Sequence, residues 1–250
     1  MELSLICIRL KCRSDLVILI GYKLVDKIYE IIEDTRETAM RKADWFFDFI
    51  SPYAYLQYHQ IHRLPDDIEL HFRPVLFSGL LNHWGQLGPA EIRLKKQHTF
   101  LLTRWRAHKL GLPFNPPPRH PFNPLLLLRL ALALKSDRNV VGKIFDHVWA
   151  KGGDGQDVDT IIELSKSLGV LDLLGTTGNI DVKNALRRNT EEAVKNGIYG
   201  VPSFLINGQS FWGDDMFDFM LEWLVNPSIL TDPEVQRIMA LPSSAERNMK

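Results

Sequence analysis

Apolar and polar positions along this chain fall into clear blocks. Trp45-Phe46-Phe47-Asp48-Phe49-Ile50 is almost unbroken apolar sequence, so Asp44–Ile50 reads as a strand buried on both faces. It runs directly into Ser51-Pro52. Proline suits the first helical position, where its missing N–H would lack a partner anyway, and serine suits the N-cap before it. A helix is predicted from Pro52 to Leu64, with Ala54, Tyr58 and Ile61 on one side and Pro65 ending it. Ile68, Leu70 and Phe72 then alternate with Glu69, His71 and Arg73, the period of a half-buried strand. These three elements make a β-α-β unit, whose crossover is expected to be right-handed.

From about Pro89 to Gly197 the pattern is helical, with breaks at Gly111-Leu112-Pro113, Asn115–Pro124, Gly152–Gly155 and Gly175–Asn179. Leu125–Leu134 is so densely apolar that its helix must be covered on most sides. Asp157 stands where it can cap a helix through Ser167, and Asp181–Asn196 gathers Val182, Ala185, Leu186, Ala193 and Val194 on one face. Ser203–Ile206 and Gln209–Trp212 read as strands joined by Asn207-Gly208, a strong hairpin signal. Met216, Phe219, Met220, Trp223 and Leu224 mark a last core helix. The order β-α-β, helical block, β-β-α predicts an α/β protein of thioredoxin-like fold with a large all-helical insertion. On this reading residues 44–79 and 198–225 form the thioredoxin-like domain and 80–197 the inserted helical domain. Residues 226–250 are a tail, and 1–43 an N-terminal extension.

Composition narrows the function classes. Net charge is zero over 250 residues, which gives no electrostatic reason to expect nucleic acid or an anionic membrane as partner. Cys7 and Cys12 are the only cysteines, so there is no disulfide framework and no C-x-x-C, and a reducing, cytoplasmic setting is the default. Leu16–Ile20 is too short to span a bilayer, and Arg9, Lys11 and Arg13 interrupt any signal-peptide pattern. Tyr22–Met40 reads as a charged amphipathic helix with Leu24, Ile28 and Ile31 on one face. The first 43 residues are then either an accessory extension or sequence ahead of a biological start at Met40. The eight histidines show no ligand spacing with carboxylates or cysteines, so no metal site is expected.

Ser51 carries the chemistry. A helix N-terminus concentrates N–H donors and positive potential, and it favours an anion such as a thiolate. A redox-active thioredoxin needs a cysteine there, so disulfide exchange by the chain's own thiols is excluded. No His-Asp pair is evident beside Ser51, which argues against a hydrolase. Gly200-Val201-Pro202-Ser203-Phe204 resembles the start of the third strand of a thioredoxin fold, whose opening proline is usually cis and faces the first helix; that resemblance implies a cis Val201–Pro202 bond beside Ser51. The sulfur must come from a ligand.

Phe47-Asp48-Phe49-x-Ser51-Pro52-Tyr53, Arg73-Pro74, Gly88-Pro89-Ala90-Glu91, Arg104-Trp105, His120-Pro121-Phe122-Asn123-Pro124, Gly197–Pro202 and Phe211-Trp212-Gly213-x-Asp215 occur in that order. Together, from about residue 44 to 225, they resemble the 2-hydroxychromene-2-carboxylate isomerase family, relatives of the kappa-class glutathione transferases. The resemblance implies glutathione as cofactor, with Ser51 binding and activating its sulfur. It implies that Val201, ahead of Pro202, holds the cysteinyl backbone, and that Gly213, Asp214 and Asp215 take the γ-glutamyl end. Gln86 after Gly85 is implied for the glycyl end, and Lys95 or Arg73 for a substrate carboxylate. The implied reaction is reversible thiolate addition to a cis unsaturated α-keto acid, which frees the bond to rotate.

Departures from the family pattern are Met216 where arginine is common, Asp214 where a small or amide residue is common, and no tyrosine around Gln97–Phe100. Three readings follow. One is an isomerase that recycles glutathione, one a kappa-like transferase that consumes it, and one a non-catalytic glutathione-binding protein. A small aromatic substrate and a homodimer are the implied partners. His120–Pro124 is expected to shape a loop over the pocket, and Trp84, Trp105 and Trp212 to pack in the core or line that pocket.

Overall fold

The apolar run ahead of Ser51 lies inside a four-stranded mixed sheet of spatial order β2-β1-β3-β4. The structure is a computed structural model and describes residues 40–244. Cys7, Cys12, Leu16–Ile20 and nearly all of the Tyr22–Met40 segment fall outside those residues. The strands are β1 (Arg41–Phe47), β2 (Ile68–Pro74), β3 (Ser203–Ile206) and β4 (Gln209–Trp212). β3 pairs antiparallel with both β1 and β4, with Trp45 opposite Phe204 and Phe204 opposite Phe211.

β1 is buried on both faces, as its sequence requires. Trp45 and Phe47 join one large apolar cluster, while Phe46 joins a second with Val75, Leu80, Ala193, Ile198 and Val201. The strand ends at Phe47 rather than at the expected Ile50. Asp48 turns the chain there, because its carboxylate accepts the Ile50 N–H at 3.1 Å and its carbonyl accepts the Ser51 N–H at 3.1 Å. The β3–β4 hairpin is as predicted, with Asn207 and Gly208 at φ +50° and +79°, the left-handed pair that a two-residue turn demands.

The helices are α1 (Pro52–Tyr58), α2 (Phe77–Trp84), α3 (Arg93–Lys109), α4 (Leu125–Ala133) and α5 (Arg138–Phe145), followed by α6 (Val158–Ser167), α7 (Leu173–Gly178), α8 (Ile180–Lys195), α9 (Phe217–Val225) and α10 (Pro233–Met239). α1 is shorter than expected, and its continuation is a separate 3₁₀ turn, Ile61–Arg63. α4 buries Leu127, Leu128, Leu130 and Ala131, and Asp157 caps α6 through the Thr160 N–H, both as predicted. α2 was not predicted. It has no side-chain cap of its own, and the free N–H of Phe77 is taken at 2.9 Å by Asp48 from the end of β1. A cap donated from 29 residues upstream leaves no local signal.

The large cluster runs continuously from Trp45 and Phe47 on the sheet to Leu127, Leu128, Val141, Phe145 and Trp149 in the helical block. Three tryptophans depart from the core-packing expectation. Trp84, Trp105 and Trp212 are 38%, 58% and 48% exposed. Trp84 needs its edge free to donate to the Ile198 carbonyl, and Trp105 lies beneath the Lys109 ammonium on the outer side of α3. Trp212 belongs to the edge strand β4. No helix among the described residues is long and apolar enough to cross a membrane.

Candidate functional site

Ser51 is the N-cap of α1, in extended conformation at φ −90° and ψ 114°. Its Oγ accepts the Ala54 N–H at 3.2 Å and donates to the Val201 carbonyl at 3.4 Å. The Val201–Pro202 bond is cis, as expected from the sequence. One residue further along the loop system, the Gly213 N–H donates to the Pro202 carbonyl at 2.8 Å. Gln57 of α1 ties the same loop from the other side. It accepts from the Trp45 indole at 2.6 Å and donates to the Gly213 carbonyl at 3.0 Å. Gly213 stands at φ +92°, and a Cβ there would lie 2.4 Å from an Asp215 oxygen, so only glycine fits. Ser51, Val201, Pro202 and the Gly213–Asp215 turn are thereby gathered at the start of α1.

The two adjacent carboxylates differ in kind. Asp214 points inward, where the Gln60 amide donates to Oδ1 at 2.9 Å and the Arg106 guanidinium forms an ion pair with Oδ2 at 2.7 Å. Burial pushes its carboxyl up to about 6, against the pull of Arg106. Asp215 is exposed. Asp214 thus anchors the turn to α3, and Asp215 is the exposed carboxylate of the two. The aspartate at position 214, unusual against the family pattern, has an internal partner and adds no second negative charge at the surface.

Arg106→Met is expected to lower stability by about 2 kcal/mol, since it strips the partner from a buried carboxylate. The loss should be greater at about pH 8 than at about pH 5. A folded-state carboxyl already raised above its unfolded value destabilises the protein as pH rises through it, and removing the guanidinium raises it further. Urea unfolding at the two pH values checks this, and equal losses would rule it out.

Tyr53, on the first turn of α1, is half-buried. Burial raises its pKa, and the nearby Arg106 opposes that shift. Beyond it, Arg93, Lys96, Gln97, Phe100, Leu101 and Arg104 of α3 join Phe114 and Pro116 around a cleft of about 720 Å³. The α3 residues follow the i, i+3, i+4, i+7, i+8, i+11 spacing of a single helix face. Ser51 does not line the cleft; His120 connects the cleft wall at Phe100 to the Ile50 carbonyl, one residue before Ser51. Phe100 meets the His120 ring edge-on at 5.1 Å, the Lys96 ammonium donates to the His120 carbonyl, and the His120 Nε2 bonds the Ile50 carbonyl at 2.9 Å.

The remaining sequence candidates lie elsewhere. Lys95 is exposed and one residue off the cleft-lining face, which Lys96 occupies instead. Counting back one helical turn from the aromatic Phe100 would have selected Lys96. Arg73 sits on the edge strand β2, engaged by Glu192 and, at 3.7 Å, by Asp44. Gln86 is exposed beyond the end of α2, with its backbone N–H on the Leu81 carbonyl. Sequence reasoning did not single out Arg106 as the partner of Asp214, Arg93 in the cleft wall, or the bond from His120 to the Ile50 carbonyl. Among the described residues no group of His, Cys, Asp and Glu is arranged to hold a metal ion.

Residues 42–225 match the family model described as a DSBA-like thioredoxin domain. Kappa 2 glutathione S-transferase of Caenorhabditis elegans is 26% identical over 205 residues, covering 73% of this chain and 91% of that protein. The 2-hydroxychromene-2-carboxylate isomerase of Pseudomonas putida is 26% identical over 189 residues, covering 72% and 91%. A solved 2-hydroxychromene-2-carboxylate isomerase superposes with a TM-score of 0.66 at 19% identity, covering 78% of this chain and 98% of that one, and so has the same fold.

Proposed function

The chain belongs to the DSBA-like thioredoxin family, and on that footing we propose that it is a glutathione-dependent isomerase of 2-hydroxychromene-2-carboxylate or a closely related aromatic acid. The observation that carries this is the position of Ser51. It caps α1 beside Val201, in a chain with no cysteine after Cys12, and His120 ties the turn before it to Phe100, in the wall of a cleft with aromatic sides and three cations.

The residues present fit glutathione in chemical kind. Asp215 offers an exposed carboxylate to the γ-glutamyl ammonium, and Asp214 is neutralised by Arg106 and Gln60. Val201 offers backbone for the cysteinyl part. Bound glutathione would supply, at the start of α1 where Ser51 stands in place of a cysteine, the nucleophilic sulfur for reversible addition to a conjugated double bond.

The protein's own part is positional and electrostatic. The Ser51 hydroxyl donates a hydrogen bond that holds a thiol in its ionised form. Lys96, Arg93 and Arg104 meet the substrate carboxylate, and Phe100 and Phe114 flank its ring.

The second reading, a kappa-like transferase, is favoured by the kappa-class relatives. Glutathione bookkeeping separates the two. Purified protein is expected to isomerise 2-hydroxychromene-2-carboxylate, followed by absorbance, only when glutathione is present, and to leave the tripeptide unconsumed. Stoichiometric loss of glutathione into a conjugate would establish the transferase instead. Glutathione binding without turnover on any electrophile would mean a binding protein.

A further inference from the structure

Two side chains outside the proposed chemistry converge on the turn that presents Ser51. α5 continues into a π turn, Asp146–Ala150, and wide turns of this kind shift a side chain out of helical register. Here Trp149 reaches the turn that follows β1, and its indole N–H donates to the Phe49 carbonyl at 2.8 Å. On the next carbonyl, Ile50, sits the His120 Nε2 at 2.9 Å. A peptide unit is planar, so holding both of its ends fixes its orientation. The Phe49–Ile50 plane is held by Trp149 at its C=O and by the Asp48 carboxylate at its N–H. The Ile50–Ser51 plane is held by His120 at its C=O and by the Asp48 carbonyl at its N–H. Two consecutive planes are clamped at both ends, and the residue they deliver is Ser51.

The protonation of His120 follows from its partner. A carbonyl only accepts, so the proton is on Nε2, and Nδ1 is a bare nitrogen, buried and without a hydrogen-bond partner. A second proton at Nδ1 would be a buried donor facing nothing. Burial and the nearby Lys96 charge keep the ring neutral, against the pull of the Ile50 carbonyl. The two clamping rings also back the cleft: Phe114 stacks on Trp149 at 5.8 Å, and His120 meets Trp149 at 5.7 Å.

We propose that His120 and Trp149 are positioning residues of the Ser51 site, reaching from the helical block to lock the 48–51 turn so that the Ser51 hydroxyl stays aimed at the ligand sulfur. This rests on the reading of Ser51 as a thiol-binding residue.

The test uses the full chain with glutathione and three variants. His120→Leu removes the imidazole donor. His120→Gln keeps an amide N–H at about the reach of Nε2. Trp149→Phe removes only the indole N–H and part of the ring. The readout is the ultraviolet thiolate absorbance of bound glutathione titrated against pH, alongside the unfolding midpoint. His120→Leu and Trp149→Phe are expected to weaken the acidity of the bound thiol about tenfold or more, because small misplacements of a site group have effects of this size. His120→Gln should recover most of that loss. A lowered unfolding midpoint with an unchanged thiolate titration would mean a purely structural role and overturn the proposal. Should His120→Leu not fold, the contrast between Trp149→Phe and His120→Gln decides it. If wild-type protein binds glutathione without lowering its thiol pKa, the Ser51 reading fails and takes this inference with it. If the wild type shows the effect and the variants match it, only this inference fails.

Discussion

Ser51→Ala is expected to lower glutathione-dependent turnover by about 10²–10³-fold, the usual cost of removing one preorganised donor from a developing or resident anion. The geometry says why the loss falls on chemistry. The Ser51 Oγ accepts the Ala54 N–H at 3.2 Å, so its lone pairs already serve the helix. Its hydrogen is directed at the Val201 carbonyl at 3.4 Å, at the long end of hydrogen bonding and weak. That O–H is therefore the donor readily redirected to a sulfur placed between α1 and Val201. Removing it also uncaps α1, which costs about 1 kcal/mol of stability. Steady-state kinetics together with chemical unfolding separates the two effects. A loss of turnover under about threefold in a folded Ser51→Ala protein would remove Ser51 from the role assigned to it, since even a single neutral hydrogen bond accounts for about that much.

Local patterns and distant partners were not equally legible in the sequence. Asn207-Gly208 fixes its own backbone, and β3 and β4 lie at the predicted residues. Ser51-Pro52 likewise announces its cap, because the partner N–H is three residues away. α2 was missed because its first amide is satisfied by Asp48 across the fold. The end of β1 was misjudged for a related reason. An apolar run predicts burial, and Phe49 is indeed buried, but a side-chain turn at Asp48 replaces the ladder. The juxtaposition of Ser51 with Val201 spans 150 residues and was legible only through resemblance to a known family. That resemblance assigns the unusual Asp214 to the γ-glutamyl end and does not say what its buried side chain pairs with. The partner, Arg106, comes from α3, a helix whose apolar pattern is too weak to say which way its many cations point. The same weakness hid the difference between Lys95 and Lys96.

The second large effect is expected at Asp48, and it appears as a change in how stability depends on pH. Its carboxylate is fully buried and accepts the N–H groups of Phe77 and Ile50 at 2.9 and 3.1 Å. Burial wins over these bonds and pushes the carboxyl from its ordinary 3.8 up to about 7. At about 1.36 kcal/mol per unit, the ionised form burdens the folded state by about 4 kcal/mol. Below about pH 4 both folded and unfolded chains carry the proton, and the burden is absent. As pH rises the unfolded chain releases its proton first, so the folded state binds more protons and stability falls until about pH 7, beyond which the full burden is present. Asp48→Asn cannot ionise. It keeps one oxygen for one of the two N–H groups and turns its own amide hydrogens on the other, a fixed cost of about 1–3 kcal/mol. The variant is therefore expected to be less stable than wild type at about pH 4.5, and the gap should close or reverse by about pH 8. Urea unfolding of both proteins across this range measures it. A gap that stays constant with pH would show that Asp48 ionises as freely in the folded chain as in the unfolded one. The turn beneath Ser51 would then be held by a carboxylate that is charged at neutral pH without a folding penalty.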